Sequence, residues 1–247
     1  MTSVLLATPC KSGYVTVNYM MSLFGTLRNL QESGIKSQTF LDVGKAGIDL
    51  PRSMAASYLL NSEHTHLMFL DDDMAWQPEL VTRLLSLDLD IVGVPYRQKS
   101  PEIMYNMRVA DKLVKAEGHP SLLEFEDIAT GLLLIKKSVF EAMRDKVEWV
   151  VDHSTQLKVG MYFRHQVVDD PLANAGGKSY MSEDLYFCRL ARESGFKIIA
   201  YVDAETAHTG TLTYKGNYKN IAGALMETNL DDPLPKSPIR LMGAYTE

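Results

Sequence analysis

The sequence predicts an α/β fold with a mostly parallel central sheet and helices on both faces. In the first hundred residues, short apolar runs alternate with stretches of helical spacing, in the order strand, helix, strand, helix, strand, helix, strand. That order is typical of a parallel sheet covered on both faces. The apolar run Leu67–Leu70 then leads without a break into Asp71, Asp72 and Asp73. This third strand therefore ends at the surface, because adjacent carboxylates are strongly hydrated.

The first strand and helix are predicted at the start of the chain. The strand is Val4–Ala7, and Thr8-Pro9 should stop it because proline cannot donate to a ladder. A helix is expected from Tyr14 to Ser33, with Gly34 as its stop. Its expected inward residues are Val17, Met20, Met21, Leu23, Phe24, Leu27 and Leu30.

The rest of the first half continues the alternation. Asp49 is a candidate cap for a helix opened by Pro51, and Gln77-Pro78-Glu79 opens another helix. The strands expected around these helices cover residues 38–43, 67–70 and 90–94.

The second half has a different texture. A hairpin is predicted between residues 103–110 and 113–116, around Asp111-Lys112. Strands are expected at 132–135 and 196–202, with helices at 138–143 and from Ser182 to Arg192. Residues 147–180 are irregular and rich in aromatic and polar side chains, which favours a role in recognition.

Composition narrows the class of protein. The chain has 247 residues and a net charge of -6, with a pI near 5.6, so a dedicated nucleic-acid binder is not expected. Cys10 and Cys188 are far apart, which argues against a disulfide framework and favours a reducing compartment. No signal peptide or membrane span is predicted. We therefore expect a cytoplasmic protein, in the host cytoplasm if the chain is viral.

The three carboxylates are the strongest candidate site. Ligands of open parallel sheets bind at the carboxyl ends of the strands, and carboxylates there favour a hard divalent cation with its phosphate. Strand alternation would place Asp71 and Asp73 on one side and Asp72 on the other. The alternative is a solvated turn that caps the next helix.

Histidines are candidate partners of this cluster. His208 follows a strand and precedes Thr209-Gly210, so its ring could approach an ion, and neutral imidazole suits Mn2+ better than Mg2+. The alternative is a hydrogen-bonded surface histidine. His64 and His66 would lie well over ~15 Å from Asp73 along a strand, so we interpret them as strand-entry residues.

Glu183 and Asp184 allow two interpretations. Acids in a first helical turn behind a cap such as Ser182 are stabilised by the helix dipole. A helix that begins beside the sheet edge would also place a general base near a substrate hydroxyl. The residues alone do not decide between them.

Other motifs are missing. Gly176–Ser179 ends like a phosphate loop, but Leu172 replaces the first glycine and no apolar strand precedes it. No dinucleotide fingerprint is present, and no serine or cysteine nucleophile with a neighbouring base can be identified.

The order of these motifs resembles that of GT-A fold glycosyltransferases, especially compact family-2-like enzymes of bacterial and viral genomes. The resemblance covers about residues 4–216. Its motifs are Ala7-Thr8-Pro9, Pro51-Arg52-Ser53, the DXD motif in Phe69-Leu70-Asp71-Asp72-Asp73, Ala129-Thr130-Gly131, Ser182–Phe187 and His208-Thr209-Gly210.

The resemblance implies a single GT-A domain over residues 1–216, followed by a tail, 217–247, that wraps the domain. Residues 1–100 would be the nucleotide-binding half and 101–216 the acceptor-binding half. The implied activity is a metal-dependent hexosyl or related transferase, which moves a sugar from a nucleotide-diphosphate sugar to a glycan or other hydroxyl acceptor. The expected cofactor is Mn2+ or Mg2+, and inversion is the expected outcome.

The same resemblance implies roles for individual residues. Asp73 and His208 would hold the metal, and Asp71 would face the ribose or the metal-bound water. The acceptor would lie against Thr130 and Gly131, and Asp184 or Glu183 would be the base. The remaining donor-binding residues would be Thr8 and Pro9 in the base pocket, Arg52 and Asp72 at the nucleotide or phosphate, and Tyr214 and Lys215 closing over the diphosphate. Many relatives have Arg-Asn where this chain has Arg52-Ser53.

Two other functions stay open. A nucleotidyltransferase also uses clustered acids, but it normally has a glycine-rich basic loop after the first strand, which Cys10–Gly13 supplies poorly. The second alternative is a non-catalytic module that binds nucleotide-sugars or glycans. Trp149, Tyr162 and Phe163 either stack on sugars or pack under a loop. The donor, the acceptor and the oligomeric state are not determined by these residues.

Overall fold

The computed structural model describes residues 2–108, 114–115, 119, 121–169 and 177–221. The helices are α1 (Val17–Glu32), α2 (Asp49–Leu60), α3 (Leu80–Ser86), α4 (Lys137–Ala142) and α5 (Glu183–Glu193), with a 3-10 turn at Arg144–Lys146. The strands of the first half are β1 (Ser3–Cys10), β2 (Lys36–Val43), β3 (His66–Leu70), β4 (Met74–Trp76) and β5 (Ile91–Gly93). Those of the middle are β6 (Met107–Arg108), β7 (Val114–Lys115), β8 (Leu122–Phe125), β9 (Asp127–Ile128), β10 (Leu132–Lys136), β11 (Trp149–Val151) and β12 (Lys158–Gly160). The last are β13 (Gln166–Asp169), β14 (Lys178–Met181), β15 (Ile198–Tyr201), β16 (Thr206–Thr209) and β17 (Thr213–Gly216).

The centre of the fold is an eight-stranded mixed sheet in the order β2-β1-β3-β10-β5-β15-β8-β7. Strands β1, β2 and β3 are mutually parallel, as are β5 and β15. Two strands run in the opposite direction. β10 pairs antiparallel with β3 and β5 on its two sides, and β8 pairs antiparallel with β15. The α/β class with a mostly parallel sheet is confirmed.

Helices cover both faces of this sheet, as predicted. Alternate residues of β1 and β3 point to opposite faces, so each strand contributes to two cores. Leu5 and Phe69 lie in the core beneath α2, α4 and α5, with Leu59, Phe140 and Phe187 as members from these helices. On the other face, the apolar residues of α1 and α3 pack on the alternate side chains of β1 and β3, such as Leu6 and Met68.

Strand β1 is longer than predicted, because it continues through Pro9 to Cys10. The expectation that Thr8-Pro9 stops it was wrong. Strand β3 pairs with β1 only from Val4 to Ala7, whereas β2 pairs with β1 along its whole length. Beyond Ala7 the edge of β1 that faces β3 is no longer paired, and a proline is tolerated at such a position.

Helix α1 presents a different face to the core than its hydrophobicity suggests. Its side chains Val17, Met21 and Phe24 are 70%, 62% and 58% exposed, and Met20 is also exposed. The buried side chains instead include Tyr19, Ser22, Thr26 and Leu30. Most of the predicted inward set was therefore wrong, although Leu30 is buried and Leu23 and Leu27 pack against the core.

Hydrogen bonds to β4 explain this orientation. The Ser22 hydroxyl donates to the Trp76 carbonyl at 2.9 Å, and the Trp76 indole donates to the Thr26 hydroxyl at 2.8 Å. Leaving the buried polar groups of Trp76 without partners would be costly, so the polar face of α1 turns inward.

The predicted hairpin around Asp111-Lys112 was wrong. β6 pairs with β9, and β7 pairs with β8, so the two segments have different partners. The turn itself lies outside the described residues. The predicted irregular segment at 147–180 instead contains most of two antiparallel strand pairs, β11–β12 and β13–β14. No helix among the described residues is long and apolar enough to cross a membrane.

Candidate functional site

A cleft with a volume of about 240 Å³ opens at the carboxyl ends of β1, β2 and β3. Pro9 and Cys10 reach it from the end of β1, Asp42 from the end of β2, and Asp71 directly after β3. Its other lining residues include Lys11, Lys45, Asp72, Asp73, Tyr96 and His208. This is the edge at which open α/β sheets bind ligands.

The three carboxylates lie in a turn between β3 and β4. Strand β3 ends at Leu70, and the Met74 amide donates to the Asp71 carbonyl at 3.1 Å. Strand alternation therefore does not describe these side chains: all three line the cleft, and each has different partners. Burial raises the pKa of Asp72 above its ordinary value, and its carboxylate lies beside the Cys10 thiol.

Asp73 and His208 face each other across two chain segments. β16 pairs with β4 so that His208 lies opposite Met74, and the Thr209 amide donates to the Asp73 carbonyl at 2.8 Å. The His208 Nε2 atom is consequently 3.4 Å from Asp73 Oδ1. Burial by itself raises the pKa of Asp73, but His208 and Lys99 outweigh it and hold that pKa below its ordinary value.

The second ring nitrogen of His208, Nδ1, contacts a backbone carbonyl. This atom is 2.9 Å from the Arg97 carbonyl oxygen, which can only accept a hydrogen bond. Nδ1 therefore donates to this oxygen, and Nε2 is the ring nitrogen that faces Asp73. A carbonyl that fixes the far nitrogen is the usual arrangement behind a histidine that binds a metal.

This pair of donor atoms fits a small divalent cation. Ligand atoms at about 2.1 Å from one cation lie roughly 3.0 to 3.4 Å apart, and the Asp73–His208 separation is within that range. Across the part of the chain that the structure describes, no group of three His, Cys, Asp or Glu side chains is arranged to hold a metal. Asp73 and His208 would thus supply two ligands, leaving the others to water and to a bound phosphate.

Asp71, which the resemblance places toward the ribose or the metal, takes part in a buried charge network. Arg52, on α2, is 3% exposed, and its Nη2 atom lies 3.0 and 3.2 Å from the two Asp71 oxygens. Its Nη1 atom contacts Glu183 Oε1, while the other Glu183 oxygen lies 3.0 Å from His165 Nε2. The Arg52 guanidinium therefore binds within the protein, and it joins α2 to α5 and to the turn of Asp71–Asp73, called the Asp turn below.

The two candidate bases have different surroundings. Glu183 is 6% exposed, and burial raises its pKa above the ordinary 4.5 while Arg52 opposes that shift. Asp184 is half-buried, and its Oδ1 atom accepts from the Leu185 amide at 2.9 Å and from the Ser182 hydroxyl. Asp184 is also close enough to Arg52 to influence its pKa. Its accessibility is the better match to a base that must meet a substrate.

Several other predicted residues lie beneath the cleft. Thr8 is 2% exposed and its hydroxyl contacts the Tyr19 hydroxyl, whereas Pro9 lines the cleft. Thr130 is fully buried. A Cβ atom on Gly131 would lie 2.5 Å from the Tyr96 hydroxyl and 2.8 Å from Asp71 Oδ2, so only glycine fits there.

Tyr214 and Lys215 lie on β17 beside the Asp73–His208 pair. Tyr214 is the register partner of His208, and the Arg97 guanidinium lies 5.8 Å from the centre of its ring. Lys215 is exposed.

The aromatic residues expected at the recognition segment mostly belong to the core. Tyr162 and Phe163 are fully buried, so they pack and do not meet a sugar. Trp149 lies partly buried against Tyr162, and Arg144 and Lys158 approach its ring.

Sequence reasoning missed Asp42, Tyr96, Lys99 and His165. Asp42 is buried at the cleft, burial raises its pKa, and its Oδ1 atom has no hydrogen-bond partner among the described residues. The sequence did indicate Asp42, because it lies at the end of a predicted strand, a position similar to that of Asp71. Tyr96 packs edge-on against His208 at 5.2 Å, and Lys99 contacts Asp73, but the loop that carries them has no motif.

Comparison with known proteins finds solved structures with a similar fold. No protein-family model matches the chain, and no curated protein matches it. The structure is similar to S. aureus TarS 1–349 in complex with UDP-GlcNAc, with 10% identity over 81% of this chain and 56% of that chain and a TM-score of 0.44. It thus spans little more than half the length of that protein.

Two further solved structures show likenesses of the same order. One is GalNAc-T7 with UDP, GalNAc and Mn2+, with 12% identity over 86% of this chain and 44% of that chain and a TM-score of 0.47. The other is the inositol-1-phosphate CTP transferase from T. maritima, with 12% identity over 85% of this chain and 89% of that chain and a TM-score of 0.42.

Proposed function

We propose that this chain is a glycosyltransferase of the GT-A type, which moves a sugar from a nucleotide-diphosphate sugar to a hydroxyl acceptor. The observation that carries the proposal is the convergence of Asp73 Oδ1 and His208 Nε2, 3.4 Å apart, at a cleft beyond the carboxyl ends of three parallel strands. A carboxylate and a neutral imidazole with a lone pair form a donor set suited to Mn2+, with Mg2+ as the alternative.

The donor would occupy the cleft between β1, β2 and the Asp turn. The bound cation would stabilise the negative charge that develops on the departing diphosphate. Asp42 offers a buried oxygen without a partner among the described residues, which suits an N–H or O–H donor of the nucleotide. Lys11 lines the same cleft and favours an anionic ligand, whereas Lys45, which also lines it, is paired with Asp152 at 3.0 Å.

Asp184 is the proposed general base. It is the second residue of α5 and is half-buried, whereas Glu183 is enclosed between Arg52 and His165. We assign Glu183 and Arg52 the task of positioning Asp71 and the start of α5. A single base of this kind, which removes the acceptor proton during attack, fits an inverting transfer.

The nucleotidyltransferase alternative fits the cleft less well. Strand β1 ends at Cys10 and α1 begins at Val17, so the connection is only residues 11–16, with Gly13 as its one glycine. Phosphate-binding loops normally carry more than one glycine, so this turn fits a triphosphate poorly.

Ligand-dependent thermal stability tests the donor site. We expect one class of nucleotide-diphosphate sugar to raise Tm only when Mn2+ is also present, because a ligand of the native state stabilises it in proportion to its affinity. Asp73→Ala should abolish the cation-dependent shift. Asp90→Ala is the matched control, since Asp90 precedes β5 at the opposite edge of the sheet and lies near Lys136. An unchanged shift in Asp73→Ala would contradict the proposal.

The products separate the three functions. A glycosyltransferase releases a nucleoside diphosphate, a nucleotidyltransferase releases pyrophosphate, and a binding module releases neither. We expect nucleoside diphosphate from the wild type, with Asp184→Asn binding the donor normally but losing at least ~100-fold in turnover. Pyrophosphate release from a nucleoside triphosphate and a sugar phosphate would establish the alternative.

A further inference from the structure

Lys99 occupies the side of Asp73 that His208 leaves open. The Lys99 ammonium contacts Asp73 Oδ2, while Asp73 Oδ1 faces His208 Nε2. The side chains of Lys99 and Asp73 are 38% and 22% exposed, so the ion pair lies at the rim of the cleft and not in the core. Every oxygen of the candidate metal-binding carboxylate thus already has a positive or polar neighbour.

The position of Lys99 is built into the fold. Lys99 belongs to the connection between β5 and β6, and the carbonyl of Arg97 in the same connection holds His208 Nδ1. The aliphatic part of Lys99 lies against the backbone of Gly210, where a Cβ atom would be 3.0 Å from Lys99 Cδ. Gly210 follows β16 directly, so the segment that carries His208 also provides the surface on which Lys99 rests.

We propose that Lys99 is an internal counter-cation that competes with the divalent cation for Asp73. The inference rests on the proposed function, because it assumes that a cation binds between Asp73 and His208. An ammonium and a divalent cation that share one carboxylate repel each other at short range, so the binding of one displaces the other.

This competition couples the cation to the nucleotide. With the cleft empty, Lys99 neutralises Asp73 and weakens the binding of a free cation. A diphosphate brings negative charge that favours both positive groups at once, so the displaced ammonium is no longer left without a partner. The cation then binds much better together with the nucleotide than alone.

Titration of Mn2+ without nucleotide, followed by electron paramagnetic resonance, tests the competition directly. We expect Lys99→Gln to bind Mn2+ about twofold to fivefold more tightly than the wild type, which is the upper part of the range for a partly exposed ion pair. Lys99→Arg, which keeps the charge, should stay near the wild type. The gap between Lys99→Gln and the wild type should narrow at high salt because exposed charges are screened.

Lys11→Gln is the matched control for net charge. Lys11 is exposed and lines the same cleft, but Asp73 is not its contact. Its substitution removes one positive charge from the cleft without freeing the carboxylate, so its Mn2+ affinity should change less than twofold. Circular dichroism of each variant confirms that it is folded before the titration.

Three results would overturn the competition: equal Mn2+ affinity in Lys99→Gln and the wild type, weaker affinity in Lys99→Gln, or the same gain in Lys11→Gln. Absence of Mn2+ binding in every variant would also overturn it and would make Lys99 a permanent counter-charge. A nucleotide-sugar that raises Tm with Mn2+, while Mn2+ affinity is equal in Lys99→Gln and the wild type, would overturn the competition alone, whereas no Mn2+-dependent Tm rise with any nucleotide-sugar would overturn the proposed function as well.

Discussion

The buried charge network around Arg52 makes the sharpest prediction about stability. Arg52 is enclosed by α2, α5 and the Asp turn, and its guanidinium holds Asp71 and Glu183 together. Arg52→Met keeps much of the side-chain volume but removes the charge. Glu183 would then be a buried carboxylate without its guanidinium partner and with Asp184 as a neighbouring acid, so the variant should be strongly destabilised.

The magnitude follows from burial. Arg52 is 3% exposed and Glu183 6%, whereas the Asp71 side chain is 20% exposed and can regain water. Removal of one member of a buried ion pair costs about 3–5 kcal/mol, but replacement of both members by apolar residues is often nearly neutral. We expect Arg52→Met to lower Tm by roughly 6–20 °C for a domain of this size. The double variant Arg52→Met/Glu183→Leu should recover most of that loss.

Urea denaturation followed by circular dichroism measures both variants, with an unchanged m value as the check that the folded state keeps its compactness. A loss below about 1 kcal/mol in Arg52→Met would refute the claim that Arg52 compensates a buried carboxylate. A double variant no more stable than the single one would show that the guanidinium acts through Asp71 or through packing instead.

Three further predictions concern single sites. Gly131→Ala should lower the free energy of unfolding in urea by about 1–3 kcal/mol and weaken nucleotide binding, because the new methyl group would lie 2.5 Å from the Tyr96 hydroxyl. Normal nucleotide binding would contradict this. Burial lowers the pKa of His66 below 6.5, so the unfolded chain takes up this proton first, and the free energy of unfolding falls as pH drops through 6.5 toward the lowered value. Between pH 7.5 and 5.5, Tm should therefore fall less in His66→Gln than in the wild type. Equal losses of Tm would argue against this. Phe187→Ala should cost about 3–5 kcal/mol and Phe24→Ala less than about 0.5 kcal/mol, since Phe187 is fully buried and Phe24 is 58% exposed; similar losses would contradict the observed orientation of α1.

Much of the fold was predictable from local patterns. The alternation of apolar runs with helical spacing gives β1, α1, β2, α2, β3, α3 and β5 in their order, although it missed β4, and the fully buried strand before the carboxylates is β3. The start of α5 behind Ser182 was equally visible, because caps and acids in the first turn are local signals. Predictions failed where a local rule met a tertiary partner, as at Pro9 and along the apolar residues of α1.

The candidate site was only partly visible in the sequence. Asp73 and His208 could be proposed from the residues themselves, since each comes after a predicted strand, although His208 lies within β16. The distance between them depends on the pairing of β16 with β4, which joins segments more than a hundred residues apart. Lys99 carries no motif, and only the course of its loop over Gly210 brings it to Asp73.

The sequence by itself determined the class of the fold, the strand that ends in three carboxylates and the kinds of side chain available there. Periodicity and chain order encode these features, and both are properties of neighbouring residues. Only the tertiary structure decided how the charges are shared: Asp71 with Arg52, Asp73 with His208 and Lys99, and Glu183 enclosed while Asp184 stays accessible. The reason is that hydrogen bonds and ion pairs depend on distances of a few ångströms between distant segments, which are set by strand register and helix packing.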